Sequence, residues 1–454
     1  MVLQRISSKN IVLPTILGES LIFPTSKRTV KNRFLKAALS ERFAKWSLND
    51  IDNGIPNDKL VNLYQKWGNS GFGMIFTGNI LVDKDHIESL GNMIIDESLD
   101  SKKRKEMFKK LAKVGKSGNS LMIAQLNHAG RQTPLSINQT PYSCSNVKQP
   151  DIPNTLLTFG NPIELTKNEI KTKVIEKFAY AAQYCYECGF DGIEVHAAHG
   201  FLLAQFLSNK TNKRDDEYGG SIENKMRIIV EIYNEIRKRI PKETGFVVGI
   251  KLNSVEFQNE DSKTDEAEEI AKKMDEIGFD FIELSGGTYE KWGMETPENS
   301  KREGYFEIFA KSIKKNIKSA KVYLTGGFRT VEGMVSSIKS NATDGIGLAR
   351  PITGEPNLPL KIINNEVDSA PLNLLEPYGF TFTALGSSSQ MIQMSKKSLE
   401  ESDNNPCYEV MDLSDPNVVK KYSEKANTFF SELMSKDKKE EPAVVLLDVD
   451  FKEF

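Results

Sequence analysis

The sequence predicts an α/β fold, a (β/α)8 TIM barrel with a C-terminal extension, and three observations support this prediction. From about residue 34 to about residue 363, eight short apolar runs alternate with eight longer amphipathic runs. The short runs are apolar on both faces, as parallel strands covered by helices are. Glycine, amide and cationic residues directly follow these runs, where such barrels place their functional residues. Alternation alone would also fit a doubly wound sheet, so the strand-end residues decide between the two folds.

The predicted elements alternate regularly along the chain. Strands are expected at residues 34–39, 73–78, 121–126, 191–195, 246–252, 279–285, 321–325 and 345–348. Helices are expected at residues 58–69, 100–116, 167–188, 222–239, 264–277, 305–316, 331–340 and 355–363. Thr166 and Ser221 precede two of these helices and are suited to cap their first-turn N–H groups.

We expect residues 1–365 to form the barrel and residues 366–454 to form the extension. A long, proline-containing segment, residues 127–166, follows the third strand. Loops of this length in compact folds are usually functional, so we expect the segment to roof the active-site end. The extension contains one clear helix prediction, at residues 417–434. We expect it to pack on the outside of the barrel, and a subunit contact, as in a homodimer, is the alternative.

Composition and charge exclude several classes of function. The formal net charge is −2, whereas nucleic-acid or polybasic membrane binding would need a basic excess. No apolar run approaches the roughly 20 residues that span a bilayer, and the first ten residues lack the apolar core of a signal peptide. The four scattered cysteines are typical of reduced thiols, so a cytoplasmic protein is expected. Cys185 and Cys188 form a C-x-x-C pair without a second pair, and we interpret them as ordinary helix residues.

Two of the four histidines, His196 and His199, directly follow the fourth predicted strand. They open the segment H-A-A-H-G-F-L-L-A-Q-F-L-S-N-K-T-N-K-R-D-D-E-Y-G-G-S-I-E-N, which ends at Asn224. This segment closely resembles the signature of the Old Yellow Enzyme family, the FMN-dependent NAD(P)H oxidoreductases built on a (β/α)8 barrel. The family's motifs occur in the same order over residues 15–360. The resemblance implies FMN as cofactor and NADH or NADPH as reductant.

The resemblance and the strand-end chemistry together imply a set of flavin-binding residues. Ala38 and Ser40 match family positions along the flavin face, and Gly78 would let the ring edge approach the backbone. Gln125 offers both a donor and an acceptor to the pyrimidine edge of the flavin. Lys251 would meet the negative charge of the reduced flavin, and a structural ion pair is the alternative for this buried cation.

Two turns at the ends of strands seven and eight are suited to a phosphate group. The sequence L-T-G-G-F-R contains Gly326 and Gly327, and G-I-G-L-A-R-P contains Ala349 and Arg350. Phosphate sites in such barrels commonly lie after these two strands, at the start of a short helix. We therefore expect backbone N–H groups and the Arg350 guanidinium to bind the FMN phosphate.

The paired imidazoles of His196 and His199 are the predicted catalytic and substrate-binding groups. Two N–H donors can hold a carbonyl or phenolate oxygen and polarise an unsaturated carbonyl for hydride attack. A metal site is the alternative, but the neighbouring strand ends carry an amide, a lysine and glycines, so no metal is expected.

Four further polar residues are interpreted as mainly structural. His128 and Arg131 follow the third strand and are expected to support the site or its lid. Arg214 and Asp216 lie in the charged part of the family signature, and we expect them to pair and stiffen the loop before residue 222.

Phe201, a predicted substrate-binding residue, departs from the family pattern. Many members have tyrosine here, whose hydroxyl protonates the substrate after hydride transfer. Phenylalanine has no such proton, so water or another residue, such as Tyr289, would have to supply it. We expect slow or absent turnover of simple enones, with flavin reduction by NAD(P)H intact.

The sequence thus predicts an FMN-dependent NAD(P)H oxidoreductase with a ping-pong cycle. Hydride would pass from the nicotinamide to flavin N5 and then to a small-molecule acceptor: an activated alkene, a quinone, a nitro compound or oxygen. An amine or N-methyl dehydrogenase on the same barrel is one alternative, although the tail lacks the glycine-rich nucleotide motif of an electron-exit domain. A non-catalytic flavin-binding sensor is the other.

Overall fold

Eight parallel strands form the closed barrel. The computed structural model describes residues 3–47, 49–152, 155, 157–253, 264–286, 307–435 and 446–454. The strands are β1 (Phe34–Lys36), β2 (Met74–Phe76), β3 (Leu121–Asn127), β4 (Gly192–Ala197), β5 (Val247–Asn253), β6 (Phe281–Ser285), β7 (Lys321–Thr325) and β8 (Gly345–Leu348). Each strand pairs in parallel with its neighbours, and β8 pairs with β1 to close the ring. The (β/α)8 prediction is confirmed, and the ends of the eight predicted strands differ by no more than three residues.

Helices follow the strands and cover the outside of the barrel. They are α1 (Asp58–Gly68), α2 (Lys102–Gly115), α3 (Glu176–Glu187), α4 (Leu202–Leu207), α5 (Ile222–Arg239), α6 (Thr264–Ile277), α7 (Glu307–Lys314), α8 (Val331–Lys339), α9 (Pro351–Gly354) and α10 (Leu358–Ile363). A one-turn helix, Lys167–Glu169, and a π-helical segment, Ile170–Ile175, lead into α3. The Thr166 and Ser221 side chains accept hydrogen bonds from backbone N–H groups of Glu169 and Asn224, as the capping prediction required.

The predicted single helix over residues 355–363 is wrong at its start. The chain forms α9 before this range and begins α10 only at Leu358. The intervening Glu355 has φ −132° and ψ 78°, outside the helical region. Pro356 explains the break, because the residue before a proline is disfavoured in the α conformation.

Aromatic side chains fill the lower part of the barrel. Phe281 and Tyr323 lie in one buried cluster with apolar residues of β1, β2, β3 and β5. An added Cβ at Gly249 would lie 2.0 Å from the Phe281 ring, and one at Gly345 would lie 2.2 Å from the Tyr323 ring. These two glycines therefore leave the space that the rings occupy. The packed interior closes the barrel below its carboxyl end.

The C-terminal extension contains two long helices, α11 (Phe380–Ser395) and α12 (Pro416–Ser435). The sequence prediction found α12 and missed α11. Most of α11 is buried on all sides, so its sequence lacks the one-sided apolar period of a surface helix. Its run G-S-S-S is also typical of a loop. Among the described residues, no helix has the length and apolar character needed to cross a membrane.

Candidate active site

The predicted site residues converge on one cavity at the carboxyl ends of the strands. The cavity has a volume of about 1670 Å³, counting the solvent space at its mouth. Its lining includes eleven residues singled out from the sequence: Ala38, Ser40, Gln125, His196, His199, Phe201, Lys251, Gly326, Gly327, Ala349 and Arg350. The carboxyl ends of all strands in a closed parallel barrel lie at the same rim. Residues that follow the predicted strands could therefore be assigned to one site from the sequence.

Gly78 is the predicted site residue that does not line this cavity. Its N–H donates to Glu41 Oε1 and to the Tyr64 hydroxyl oxygen, both at 2.9 Å. An added Cβ would lie 2.2 Å from Glu41 Oε2 and 2.4 Å from the Leu39 carbonyl oxygen. The absence of a side chain at Gly78 thus lets the Glu41 side chain and the Leu39 backbone pack closely against it. Asn79, one residue on, lines the cavity instead and donates to Ser40 Oγ at 3.1 Å.

His196 is buried and His199 is half-buried, and their ring centroids lie 5.1 Å apart. His196 Nδ1 accepts a hydrogen bond from the Ala198 N–H at 3.3 Å, so Nε2 carries the proton in the neutral ring. His199 Nε2 lies 3.1 Å from the Ser285 hydroxyl, and the His199 N–H donates to Asn253 Oδ1 at 3.1 Å. These contacts hold His199 at a left-handed φ of 60°.

Both imidazoles are neutral at physiological pH. Burial lowers the pKa of His196 well below its usual range, and the neighbouring His199 and the positive charge of Lys251 have smaller effects in the same direction. Burial, with a smaller effect of Lys251, lowers the pKa of His199 to about 3. A neutral imidazole keeps one N–H group, which can donate a hydrogen bond to an oxygen. The pair is therefore suited to polarise an acceptor.

Phe201 packs edge-on against His196, with ring centroids 5.0 Å apart and an interplanar angle of 85°. Its side chain lines the cavity beside the two imidazoles. The residue thus occupies the position from which a hydroxyl would reach the same space. Tyr289, the proton donor considered from the sequence, lies outside the described residues.

A buried charge network lies beside the imidazoles. Lys251 Nζ is 3.1 Å from Glu283 Oε2, so the structural ion pair that the sequence left open for this lysine is present. Gln125 Nε2 donates to Glu194 Oε2 at 2.6 Å. Burial and the neighbouring Glu283 carboxylate raise the pKa of Glu194 well above its usual range. The two glutamates therefore lie close together in the interior, and Lys251 places a cation beside them.

The first predicted phosphate turn has a backbone conformation that favours glycine, and the second turn leads into a short helix. Gly326 and Gly327 have φ values of 143° and 77°, which residues with a Cβ rarely adopt. Arg350 directly precedes the short helix α9 and donates from Nη1 to Thr383 Oγ1 at 3.0 Å. Thr383 belongs to α11 of the extension, so the predicted phosphate ligand is held by a segment that the sequence analysis placed outside the barrel.

Residues of α11 are the main part of the cavity that sequence reasoning missed. Five of them line it: Phe380, Ala384, Ser387, Ser388 and Met391. They lie on one face of the folded helix, but α11 has no one-sided apolar pattern that would have indicated this face from the sequence. Arg42 and Glu88, an ion pair at 2.6 Å, also line the cavity and were not predicted.

Several polar residues interpreted as structural lie outside the cavity. Arg131 donates to the Val147 and Lys148 carbonyl oxygens at 3.2 and 3.1 Å, within the long segment after β3. Arg214 pairs with Asp216, as predicted, and also donates to the Cys144 and Leu165 carbonyl oxygens.

His128 lies in a buried cluster with Asp83 and His86. Among the described residues, this cluster is the one group of at least three histidine, cysteine or acidic side chains close enough to share a cation. Both ring nitrogens of His86 already have partners: Nδ1 lies 3.0 Å from Asp83 Oδ1, and Nε2 accepts a hydrogen bond from the Tyr142 N–H at 2.9 Å. Lys177 Nζ lies 2.7 Å from Asp83 Oδ2 and neutralises that carboxylate. These contacts favour a role in anchoring the segment after β3.

Comparisons show which known proteins the chain is similar to. The model of the NADH:flavin oxidoreductase / NADH oxidase family matches residues 24–368. The chain is 41% identical to the NADH-dependent flavin oxidoreductase nadA of Aspergillus parasiticus over 392 residues, covering 85% of this chain and 86% of that protein. It is 29% identical to the NADH oxidase of Thermoanaerobacter brockii over 348 residues, covering 77% of this chain and 50% of that protein.

Solved structures share the fold at lower identity. The Old Yellow Enzyme homologue from Zymomonas mobilis superimposes with a TM-score of 0.63 and 22% identity, covering 80% of this chain and 98% of that chain. Morphinone reductase in complex with tetrahydroNAD superimposes with a TM-score of 0.61 and 21% identity, covering 78% of this chain and 92% of that chain.

Proposed function

Because the chain belongs to the NADH:flavin oxidoreductase / NADH oxidase family, we propose that it couples oxidation of NADH or NADPH to reduction of a small electrophilic acceptor in a ping-pong cycle. The protein is an FMN-dependent oxidoreductase. The acceptor classes that its chemistry supports are activated alkenes, quinones, nitro compounds and oxygen. The observation that carries the proposal is the neutral pair His196 and His199 in the same cavity as the predicted flavin ligands.

The residues of the cavity fit FMN. Gln125 lies near the carboxyl end of β3, whereas Gly326 and Arg350 follow β7 and β8 on the other side of the barrel. Amide, cation and glycine-turn groups therefore face one elongated ligand from opposite sides of the rim. We assign the flavin ring to the side of Gln125 and Lys251, and the phosphate to the side of Gly326, Gly327 and Arg350.

The protein's own contribution is orientation and electrostatics. When bound, FMN supplies the redox chemistry, taking a hydride from the nicotinamide and passing it to the acceptor. The imidazole N–H groups of His196 and His199 would hold the acceptor's oxygen. Lys251 would place a positive charge beside the cofactor, with Glu283 and Glu194 behind it. The apolar ring of Phe201 would exclude water from the same space.

Anaerobic reduction tests the proposal directly. Purified protein should be yellow, and adding NADH or NADPH without oxygen should bleach the flavin absorbance. Subsequent addition of a quinone should restore the colour. A failure of both nicotinamides to bleach the flavin would favour the sensor interpretation, and bleaching by an amine alone would favour the amine dehydrogenase.

The Phe201→Tyr variant is expected to reduce simple enones at least 10-fold faster than the native protein. A positioned acid typically accelerates proton transfer by about 10² to 10⁴-fold, and phenylalanine provides none. The measurement is the rate of reoxidation of pre-reduced protein by 2-cyclohexenone. Phe201→Leu, which removes the ring without adding a hydroxyl, is the matched control. Equal, fast rates in native protein and in Phe201→Tyr would show that the proton comes from elsewhere.

We propose a cytoplasmic location for the protein. A subunit contact in a homodimer remains the alternative role proposed for the extension. Buried, unpaired Cys144, Cys185 and Cys188 support a reducing compartment. Burial raises the pKa of the Cys188 thiol to about 12, which fits an unreactive helix residue.

A further inference from the structure

One face of α11 forms a wall of the cavity beside the predicted phosphate turns. Phe380, Ala384, Ser387, Ser388 and Met391 line the same cavity as Gly326, Gly327 and Arg350. Their spacing of i, i+4, i+7, i+8 and i+11 is that of a single helix face. Three of the five side chains are alanine or serine, so this face leaves room for a ligand.

The opposite face of α11 fixes the helix in place. Leu385 belongs to a core that the extension forms by itself, together with Leu375, Leu413 and Tyr422. An added Cβ at Gly386 would lie 2.6 Å from Leu375 Cδ1, so the helix and this core are in close contact. A helix held this firmly presents its cavity face in a defined position.

Most polar side chains on α11 have partners within the protein. Thr383 Oγ1 accepts from Arg350, and Gln390 contacts Thr353 and the Met411 carbonyl oxygen. Ser389 contacts Tyr422 and the Leu447 carbonyl oxygen. Because their side chains are hydrogen-bonded, these polar residues can be buried in the helix without an unsatisfied polar group.

Ser387 differs from them. The residue is 3% exposed, and its Oγ is buried without a hydrogen-bond partner. A buried hydroxyl without a partner is unfavourable, and it becomes favourable when a ligand accepts its hydrogen bond. Ser387 stands one helical turn after Thr383, the residue that holds the Arg350 guanidinium.

We propose that Ser387 donates a hydrogen bond to the phosphate group of FMN, and that α11 of the extension completes the phosphate end of the cofactor site. The phosphate is a strong acceptor, and hydrogen bonds to a charged partner are stronger than neutral ones. The extension is thereby part of the cofactor site. This inference requires only FMN binding and is independent of which acceptor the enzyme reduces.

Cofactor affinity tests this proposal without any measurement of turnover. Native protein and Ser387→Ala are freed of flavin, and dissociation constants for FMN and for riboflavin are measured by quenching of flavin fluorescence. We expect Ser387→Ala to bind FMN about 10-fold or more weakly, because a charge-assisted hydrogen bond is lost. Riboflavin affinity should stay unchanged, because riboflavin has no phosphate.

The matched control is Ser395→Ala on the same helix. Ser395 is buried, and its hydroxyl donates to the Ile392 carbonyl oxygen rather than lining the cavity. Its FMN affinity should equal that of native protein. Ser387→Thr, which keeps a hydroxyl, should recover affinity, and Ser387→Asp should weaken FMN binding more than Ser387→Ala because it repels the phosphate.

Two results would overturn the proposal. One is unchanged FMN affinity in Ser387→Ala. The other is an equal loss for FMN and riboflavin, which would assign the serine to the ring or to the shape of the cavity. Riboflavin binding also reports whether each variant has folded, so a misfolded variant cannot imitate the expected selective loss.

Discussion

The double variant His196→Ala/His199→Ala is expected to bind phenolic ligands about 100-fold or more weakly than native protein. Each imidazole can donate one hydrogen bond to a phenolate oxygen, and hydrogen bonds to a charged acceptor contribute about 1.5–3 kcal/mol each. The measurement is a titration with 4-hydroxybenzaldehyde, followed by the long-wavelength charge-transfer band with the flavin. The band should be lost in the variant at ligand concentrations that saturate native protein.

A second variant separates hydrogen bonding from cavity shape. His196→Asn/His199→Asn retains an N–H donor at each position and should keep part of the affinity that the alanine variant loses. Flavin content should be measured in all three proteins, since a loss of cofactor would also remove the band. Full phenol affinity in the alanine variant with its flavin in place would refute the role assigned to the pair.

The protein's contribution to phenol binding should be independent of pH between about 5 and 8. Burial lowers the pKa of His199 to about 3 and lowers the pKa of His196 well below its usual range, so neither ring gains a proton in this window. The unfolded chain takes up these protons near pH 6.5, before the folded protein does. The two histidines therefore reduce the free energy of unfolding as pH falls below about 6.5. Phenol affinity should follow only the ligand's own ionisation.

Replacing Lys251 by methionine is expected to lower the free energy of unfolding by about 3–5 kcal/mol at pH 7. The lysine is the ion-pair partner of the fully buried Glu283, which lies beside Glu194. Its removal leaves the buried carboxylate pair without its direct ion-pair partner, and Lys36 remains as a neighbouring cation. Urea unfolding monitored by circular dichroism measures the loss, and FMN affinity is expected to fall as well because the cavity loses a cation.

The loss of unfolding free energy caused by Lys251→Met should be smaller at acid pH. The pKa of Glu194 is already raised by burial and by the Glu283 carboxylate, and removing the lysine takes away a charge that opposes this rise. Glu194 in the folded variant therefore holds its proton to higher pH than a glutamate of the unfolded chain does. The deficit is therefore small near pH 5 and grows as pH rises toward 8. The double variant Lys251→Met/Glu283→Gln removes the uncompensated charge and should recover most of the stability at pH 7. An unchanged unfolding free energy in Lys251→Met would show that the ion pair has no net stabilising role.

Local patterns determined the barrel. Residues of α5 (Ile222–Arg239) and α6 (Thr264–Ile277) occupy the predicted ranges, because apolar period and capping depend on neighbours in sequence. The site residues on β3, β4, β5, β7 and β8 could also be predicted, since parallel strands bring their carboxyl ends to the same rim. The family motifs then gave each position a chemical role.

Contacts between distant residues decided the rest. The helix α11 has no one-sided pattern because it is buried all round, and its position depends on contacts such as Asn62 with the Ser395 carbonyl oxygen. Gly78 satisfied the sequence criterion for a cavity residue, yet Glu41 fills the space beside it. The sequence by itself determined the barrel and most of the rim, because these depend on local periodicity. Only the tertiary structure brought Ser387 to the cavity and Glu283 to Lys251, because such pairs arise when remote segments pack together.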